Sequence, residues 1–203
     1  MEQLEQNALE AMRKNGFEVV CLKDAQAVKE YLLEQIGQEC SVGCGGSMSV
    51  QETGVLTALA QKGCKVYCHS NVPPEERPQT MRNARTADVY LTSANAVTKT
   101  GKLVLVDGTG NRVGAVCDGP ARLYFVIGRQ KLVDGGINTA VSRIKKVACP
   151  KNAARLGLGT SCARTGLCSA DCPESMCRLT VAVDRTPRGR SLTVLWVEQP
   201  LGY

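Results

Sequence analysis

Aromatic residues are scarce in this 203-residue chain, at 4%, with one Trp and two Phe, and there is a single histidine. The shortage of aromatics, with no dense basic stripe interleaved among them, argues against a surface that stacks nucleic-acid bases. No nucleic-acid partner is therefore expected, and the formal charge of +6 suits a small anionic substrate better. No apolar run is long enough to cross a bilayer, so no membrane is expected either. The opening residues Met1-Glu2-Gln3-Leu4-Glu5 lack the basic and apolar regions of a secretory signal, and the expected location is cytoplasmic. Internal repeats and low-complexity tracts are absent too. With 43% hydrophobic residues the chain can bury one good core, and 1–203 reads as a single domain.

What stands out first is a glycine-rich stretch, Ser41-Val42-Gly43-Cys44-Gly45-Gly46-Ser47-Met48-Ser49. It follows a strand-like run, Glu39 to Val42, and opens a helix-like run from Ser49 to Lys62. Gly43, Gly45 and Gly46 permit unusual backbone angles and close approach of a ligand. Turn amides and a helix N-terminus would then face an anion, with Ser47 and Ser49 adding hydroxyl donors. The stretch lacks the Gly-Lys-Ser/Thr of a Walker loop and the GxGxxG of a dinucleotide turn. It reads either as another kind of anion cradle or as a tight βα turn that binds nothing. Ser49-Val50-Gln51-Glu52 also fits a capping box, which gives Glu52 a structural reading.

Alternation of strand and helix patterns fills the first half of the chain. Leu4, Ala8, Leu9, Ala11 and Met12 have helical spacing before Gly16, and Phe17–Leu22 reads as a strand. Asp24 reads as the N-cap of a helix to about Ile36. Cys64–Cys68 and Asp88–Thr92 are strand-like, with a proline-bearing loop and short helix between them. This predicts an α/β fold with a mostly parallel sheet flanked by helices. From Ser93 to Arg112 the pattern changes to strands separated by Thr-Gly and Asp-Gly turns, an antiparallel hairpin portion that Val113–Val116 continues. Arg122–Ile127 is a strong strand, and residues 134–147 carry helical spacing that stops before Pro150. Leu179–Val183 and Leu192–Val197 are two further strands joined by an arginine-bearing turn. His69 follows the strand Cys64–Cys68 and is given no role.

Eleven cysteines in a chain of this expected location argue against a disulfide framework. Cys162, Cys168, Cys172 and Cys177 fall within sixteen residues of a C-terminal Cys-rich segment, 157–178, that bears glycine and proline. Thiolates so placed can converge on one soft metal centre. The spacing lacks the C-x2-C knuckle of structural zinc and the C-x2-C-x2-C run of ferredoxins. An iron–sulfur cluster is favoured, zinc is the alternative, and buried or redox-active thiols remain open. Polar residues meanwhile gather in turns: Ser47, Ser93, Asn95, Thr100, Asp107, Asn111 and Lys131. Ligands of open α/β sheets sit beyond the carboxyl ends of the strands, so these turns could share one crevice with the glycine stretch. Turn chemistry alone would select the same residue types.

Together these blocks resemble the LUD-domain family, named for bacterial lactate utilisation. The resemblance is carried by Val42-Gly43-Cys44-Gly45-Gly46-Ser47 with Glu52 and Gly54, by Ala87 to Ala96, and by Thr100-Gly101. It continues through Asp107-Gly108-Thr109-Gly110-Asn111-Arg112-Val113, Gly119-Pro120, Val126-Ile127-Gly128 with Lys131, and the segment Cys162–Cys177. It implies an α/β superfold shared with sugar-phosphate isomerases and CoA-transferases. The implied ligand is a small anionic metabolite, a carboxylate or phosphate, in 2-hydroxy-acid (lactate) utilisation beside iron–sulfur or redox partner proteins. Gly108 and Gly119 join the implied ligand-binding residues. The alternative is a self-sufficient isomerase or CoA-transferase type of enzyme, with Glu52, Asp88 or Asp107 as base, Glu52 as nucleophile and Lys131 on a phosphate. A zinc-stabilised ligand-binding module is the third possibility, and self-association is open.

Overall fold

A computed structural model describes residues 2–169 and 171–203. Ala170, inside the expected Cys-rich segment, lies outside the described residues, as does Met1. The order of elements begins α1 (Glu2–Lys14), β1 (Glu18–Leu22), α2 (Ala25–Gln35), β2 (Ser41–Cys44), α3 (Met48–Gln51), α4 (Val55–Lys62) and β3 (Lys65–Cys68). It continues with α5 (Arg77–Arg85), β4 (Val89–Thr92), β5 (Ala96–Thr98), β6 (Leu103–Asp107), α6 (Asn111–Asp118), β7 (Arg122–Gly128) and β8 (Leu132–Val133). Then follow α7 (Ile137–Arg143), a π-turn (Ile144–Ala148), α8 (Cys149–Arg155), α9 (Ser161–Thr165), β9 (Leu179–Val183) and β10 (Ser191–Val197).

Six strands form a wholly parallel sheet in the order β1-β10-β7-β4-β2-β3. Four others form a mixed sheet, β8-β5-β6-β9, built on the antiparallel β5–β6 pair. The α/β expectation with a hairpin portion therefore holds. β7 is buried from Leu123 to Gly128, as a central parallel strand covered on both faces should be. One core joins the mixed sheet to the parallel one, with Leu103 and Leu105 against Leu123, Phe125 and Ile127. A second core lies on the other face of the parallel sheet, where Val28 and Leu32 of α2 and Leu59 of α4 meet Val42 and Val126. A third packs Val104 and Val106 against Ala140 and Ile144. Each fully buried Leu, Ile or Phe contributes about 1.5–3 kcal/mol relative to an exposed one.

Local signals explain the elements that matched. Asp24 accepts from the Ala27 amide at 2.9 Å as the N-cap of α2, and Gly16 adopts φ +82° after α1. Three readings need correction. The run 49–62 is two helices, because Gly54 at φ +68° interrupts it. Residues 113–116 are not a strand: they lie in α6, whose first amides are capped from a distance by Asp107. The helix begun at Ile137 does not stop before Pro150. A π-turn widens it there, and the Cys149 amide bonds back to Ile144, which accommodates the proline ring and its missing donor. The two strands β9 and β10 stand where they were expected, each in a different sheet.

Among the described residues, no helix is long and apolar enough to cross a membrane.

Candidate functional site

Because the six strands are parallel, their carboxyl ends open on one edge of the sheet. The turns after β2, β3, β4 and β7 deliver Gly45 to Ser49, His69, Ser93 to Asn95 and Lys131 to one cleft of about 460 Å³. Asp107 and Gly108 at the end of β6, with Asn111 and Arg112 of α6, close its second wall. Arg77, Arg155 and Tyr203 border it as well. Ten of the expected site residues thus meet: Gly45, Gly46, Ser47, Ser49, Ser93, Asn95, Asp107, Gly108, Asn111 and Lys131.

Five expected residues lie elsewhere. Gly43 is a packing glycine, since a Cβ there would come within 2.2 Å of the Ala84 carbonyl oxygen. Thr100 sits in the β5–β6 turn, where its carbonyl accepts from Asn15. Gly119 follows α6 and packs on the Ala115 backbone. Glu52 does not line the cleft, and its Oε2 accepts from the Gly202 amide at 2.7 Å. The capping-box reading of Glu52 fails too, because Ser47 rather than Ser49 occupies the N-cap of α3. Asp88 lies at the opposite end of the sheet, bonded to Ser41.

The glycine turn is filled largely by the protein itself. Arg112 runs through the space a Gly45 side chain would take, its Cγ only 2.2 Å from such a Cβ. The Gly46 and Ser47 amides turn toward the sulfurs of Cys44 and Cys68. The Cys44 thiol, the Ser70 hydroxyl and the Gly46 amide together lower the pKa of Cys68. What these amides cradle is thus an internal thiol pair, so the positive character of the cleft rests on side chains.

Those side chains are Arg77, Arg112 and Arg155, set against the side-chain carboxylate of Asp107. Asp107 is occupied: its Oδ2 accepts from the Arg112 and Val113 amides at 3.0 Å each. A carboxylate at a helix N-terminus is well placed there, and this one is already engaged. Arg112 is anchored by the Val106 carbonyl and by Asn95 Oδ1. Arg77 forms no ion pair among the described residues. His69, given no role from sequence, lies in the cleft with Nδ1 buried and without a hydrogen-bond partner. Burial first, then the Arg77 charge, lowers its pKa and keeps it neutral. Its position after β3 was the available signal, the same strand-end rule that placed Ser93. Lys131 is 3% exposed, and its Nζ donates to Ser49 Oγ at 2.6 Å and to Ser93 Oγ at 2.9 Å.

Cys162, Cys168, Cys172 and Cys177 border a second cavity of about 370 Å³, together with Cys149, which sequence reasoning passed over. Cys149 and Cys177 bring their sulfurs within 3.2 Å. That contact, and after it the Lys145 ammonium, lowers the Cys177 pKa to about 6 and favours a thiolate. Cys149, Met176 and Cys177 line both cavities. Among the described residues, no group of three or more His, Cys, Asp or Glu is gathered tightly enough to close on a single ion.

Comparison with known proteins agrees with this architecture. The LUD domain family model matches residues 5–196. The chain belongs to the LUD-domain family. A search of curated proteins returned no match. Among solved structures, this LUD-domain chain is similar to a DUF162 family protein from Deinococcus radiodurans, at 12% identity, TM-score 0.58 and 97% coverage of each chain. That likeness supports the LUD fold.

Proposed function

We propose that the cleft binds a small anionic metabolite, a carboxylate or phosphate, and that the protein serves 2-hydroxy-acid (lactate) utilisation beside a cysteine-ligated iron–sulfur centre. The observation that carries this reading is the shared wall. Cys149 and Cys177 border both the thiol cavity and the cation-lined cleft, so a ligand in one lies next to the other. Arg77, Arg155 and neutral His69 would receive the anion.

The thiols fit an iron–sulfur group better than one zinc ion. Zinc–thiolate bonds of about 2.3 Å hold four sulfurs around a single point, whereas a cluster carries its thiolates on the outside of a larger core. Here the thiols stand around a cavity, with Cys162, Cys168, Cys172 and Cys177 as the holding residues and Cys149 beside them. When bound, such a group supplies one-electron transfer. Lys145 lies against Cys177 and would offset the negative charge of the thiolates. Redox partner proteins belong to this reading.

The isomerase or CoA-transferase alternative needs a carboxylate at liberty in the cleft. Glu52 holds Gly202 and Asp107 caps α6, which weighs against it.

Anaerobic purification with iron and sulfide analysis, and calorimetric titration with L-lactate and inorganic phosphate, test the reading. The expected result is stoichiometric iron and sulfide, and anion binding that Arg77→Ala and Arg155→Ala weaken by roughly tenfold, the loss of one charge-assisted contact. Metal-free protein that binds neither anion would overturn it.

A further inference from the structure

We propose that Lys131 is a nucleophilic amine that forms an imine with a small carbonyl compound bearing an anionic group. This rests on the anion-binding reading of the cleft and names the chemistry of its ligand. An ammonium has three donors, whereas a neutral amine has two and a lone pair. Lys131 Nζ meets two acceptors, the hydroxyls of Ser49 and Ser93. Each hydroxyl spends its own hydrogen on a carbonyl, Ser49 on Leu201 at 3.1 Å and Ser93 on Ala94 at 3.0 Å. Neither serine therefore gives its proton to the lysine, which argues against a serine nucleophile activated by Lys131. No carboxylate pairs with Nζ among the described residues. The protein groups around Nζ thus complete a neutral amine, and a third hydrogen finds no acceptor among the described residues.

Charge around Lys131 acts in the same direction. Burial first, then the guanidiniums of Arg143 on α7 and Arg112 on α6, lowers its pKa to about 7, with Glu52 opposing weakly. An amine beside other cations in a desolvated site is the usual route to a nucleophilic lysine. The lone pair attacks the carbonyl carbon, and the carbonyl π electrons move to oxygen. The two amine protons and that oxygen then leave as water, and C=N replaces C=O. No oxidant or reductant is consumed. The cleft arginines would hold the anionic end of the compound, whether a carboxylate adjoining the carbonyl, as in a 2-oxo acid, or the phosphate of a phosphorylated ketone or aldehyde.

Reductive trapping tests this on the full chain. The protein is incubated with sodium cyanoborohydride and either pyruvate or dihydroxyacetone phosphate, then digested and mapped by mass spectrometry. The expected result is one reduced adduct on Lys131, favoured roughly tenfold or more over any exposed lysine, because this amine is far less protonated near neutrality than an ordinary lysine. Labelling should rise as pH passes through about 7 and vanish in Lys131→Met. The carbonyl compound that labels identifies the carboxylate or the phosphate source. Adducts only on exposed lysines, with either compound, would overturn the proposal, and the wild-type map shows this even if the variant fails to fold. L-Lactate and inorganic phosphate cannot form imines, so a rise in melting temperature with either probes the anion site alone. A rise without a Lys131 adduct discards the imine and keeps the anion site; neither rise nor adduct discards both.

Discussion

One wall of the cleft comes from the turns after four parallel strands and the other from the end of β6 and from α6, whereas the thiol cavity is assembled from the π-turn, two short helices and the loop that follows them. Every cleft turn begins at a strand paired on both sides or flanked by a buried neighbour, so backbone ladders set its position. The described residues of 166–178 have little such support. Its bonds are mainly local, as from the Ser175 amide to the Cys172 carbonyl and from the Cys177 amide to Ser175 Oγ, with the Arg178 amide reaching Asp107. The cleft is thus organised before any ligand arrives, whereas a group bound by the thiols would add order to their cavity. The two share a wall and differ in what would break them.

The largest expected effect is on the frame of the cleft. In Gly43→Ala the new Cβ would lie 2.2 Å from the Ala84 carbonyl oxygen and 2.8 Å from the Tyr90 ring. Backbone on one side and a buried ring on the other cannot both yield, so the cost should reach about 3 kcal/mol or more. Denaturant unfolding monitored through Trp196 checks it. A loss below about 1 kcal/mol would mean that β2 and α5 are less tightly joined than their geometry requires.

Next comes Lys131, where the cleft holds an amine against its usual protonation. Its folded-state pKa, about 7, lies below that of the unfolded chain. Between those values the unfolded state binds the extra proton, so the native protein gains stability as pH rises from about 7, by up to about 1.4 kcal/mol per pH unit from this residue. Below pH 7 both states are protonated and the full penalty applies. Lys131→Met removes the penalty and leaves Ser49 and Ser93 bonded to their carbonyls. Its stability advantage over the wild type should therefore be greatest at pH 6 and shrink toward pH 9. A pH-independent difference would mean that Lys131 stays charged.

Third is Glu52→Gln. The amide oxygen of Gln can still accept from Gly202, so the variant loses charge assistance rather than the contact. About 1 kcal/mol of stability should go, with anion affinity unchanged. A fall in affinity as large as that of the arginine variants would return Glu52 to the binding machinery.

The parallel sheet was legible because its signals are local: alternating strand and helix patterns, Asp24 as a cap, Gly16 as a stop. Strand ends then nominated Ser93, Asn95 and Lys131 before any contact was known. What stayed hidden depends on partners distant in sequence. The α6 cap comes from Asp107, in a strand before the turn, so 113–116 read as β. Arg112 filling the Gly45 space, and Gly46 and Ser47 facing thiols, leave no mark on a glycine pattern that otherwise resembles an anion cradle. Cys149 went unnoticed because it precedes the cysteine cluster by thirteen positions and is carried back to it by a helix expected to end there.

Cys168→Ser should produce the smallest change in global stability and the most telling contrast between the two regions. Cys168 is exposed, and the removal of its sulfur disturbs no core, so unfolding of the sheets should shift by less than about 0.5 kcal/mol. Iron and sulfide content should fall sharply if this thiolate holds part of a cluster. Amide exchange in 157–178 should then quicken while β7 and β10 keep their protection. Equal losses of protection in the segment and the sheet would mean that the two regions unfold as one unit and that the cleft depends on the thiol site for its order. Full metal content in the variant would instead move the ligand set toward Cys149, the buried thiol already in contact with Cys177.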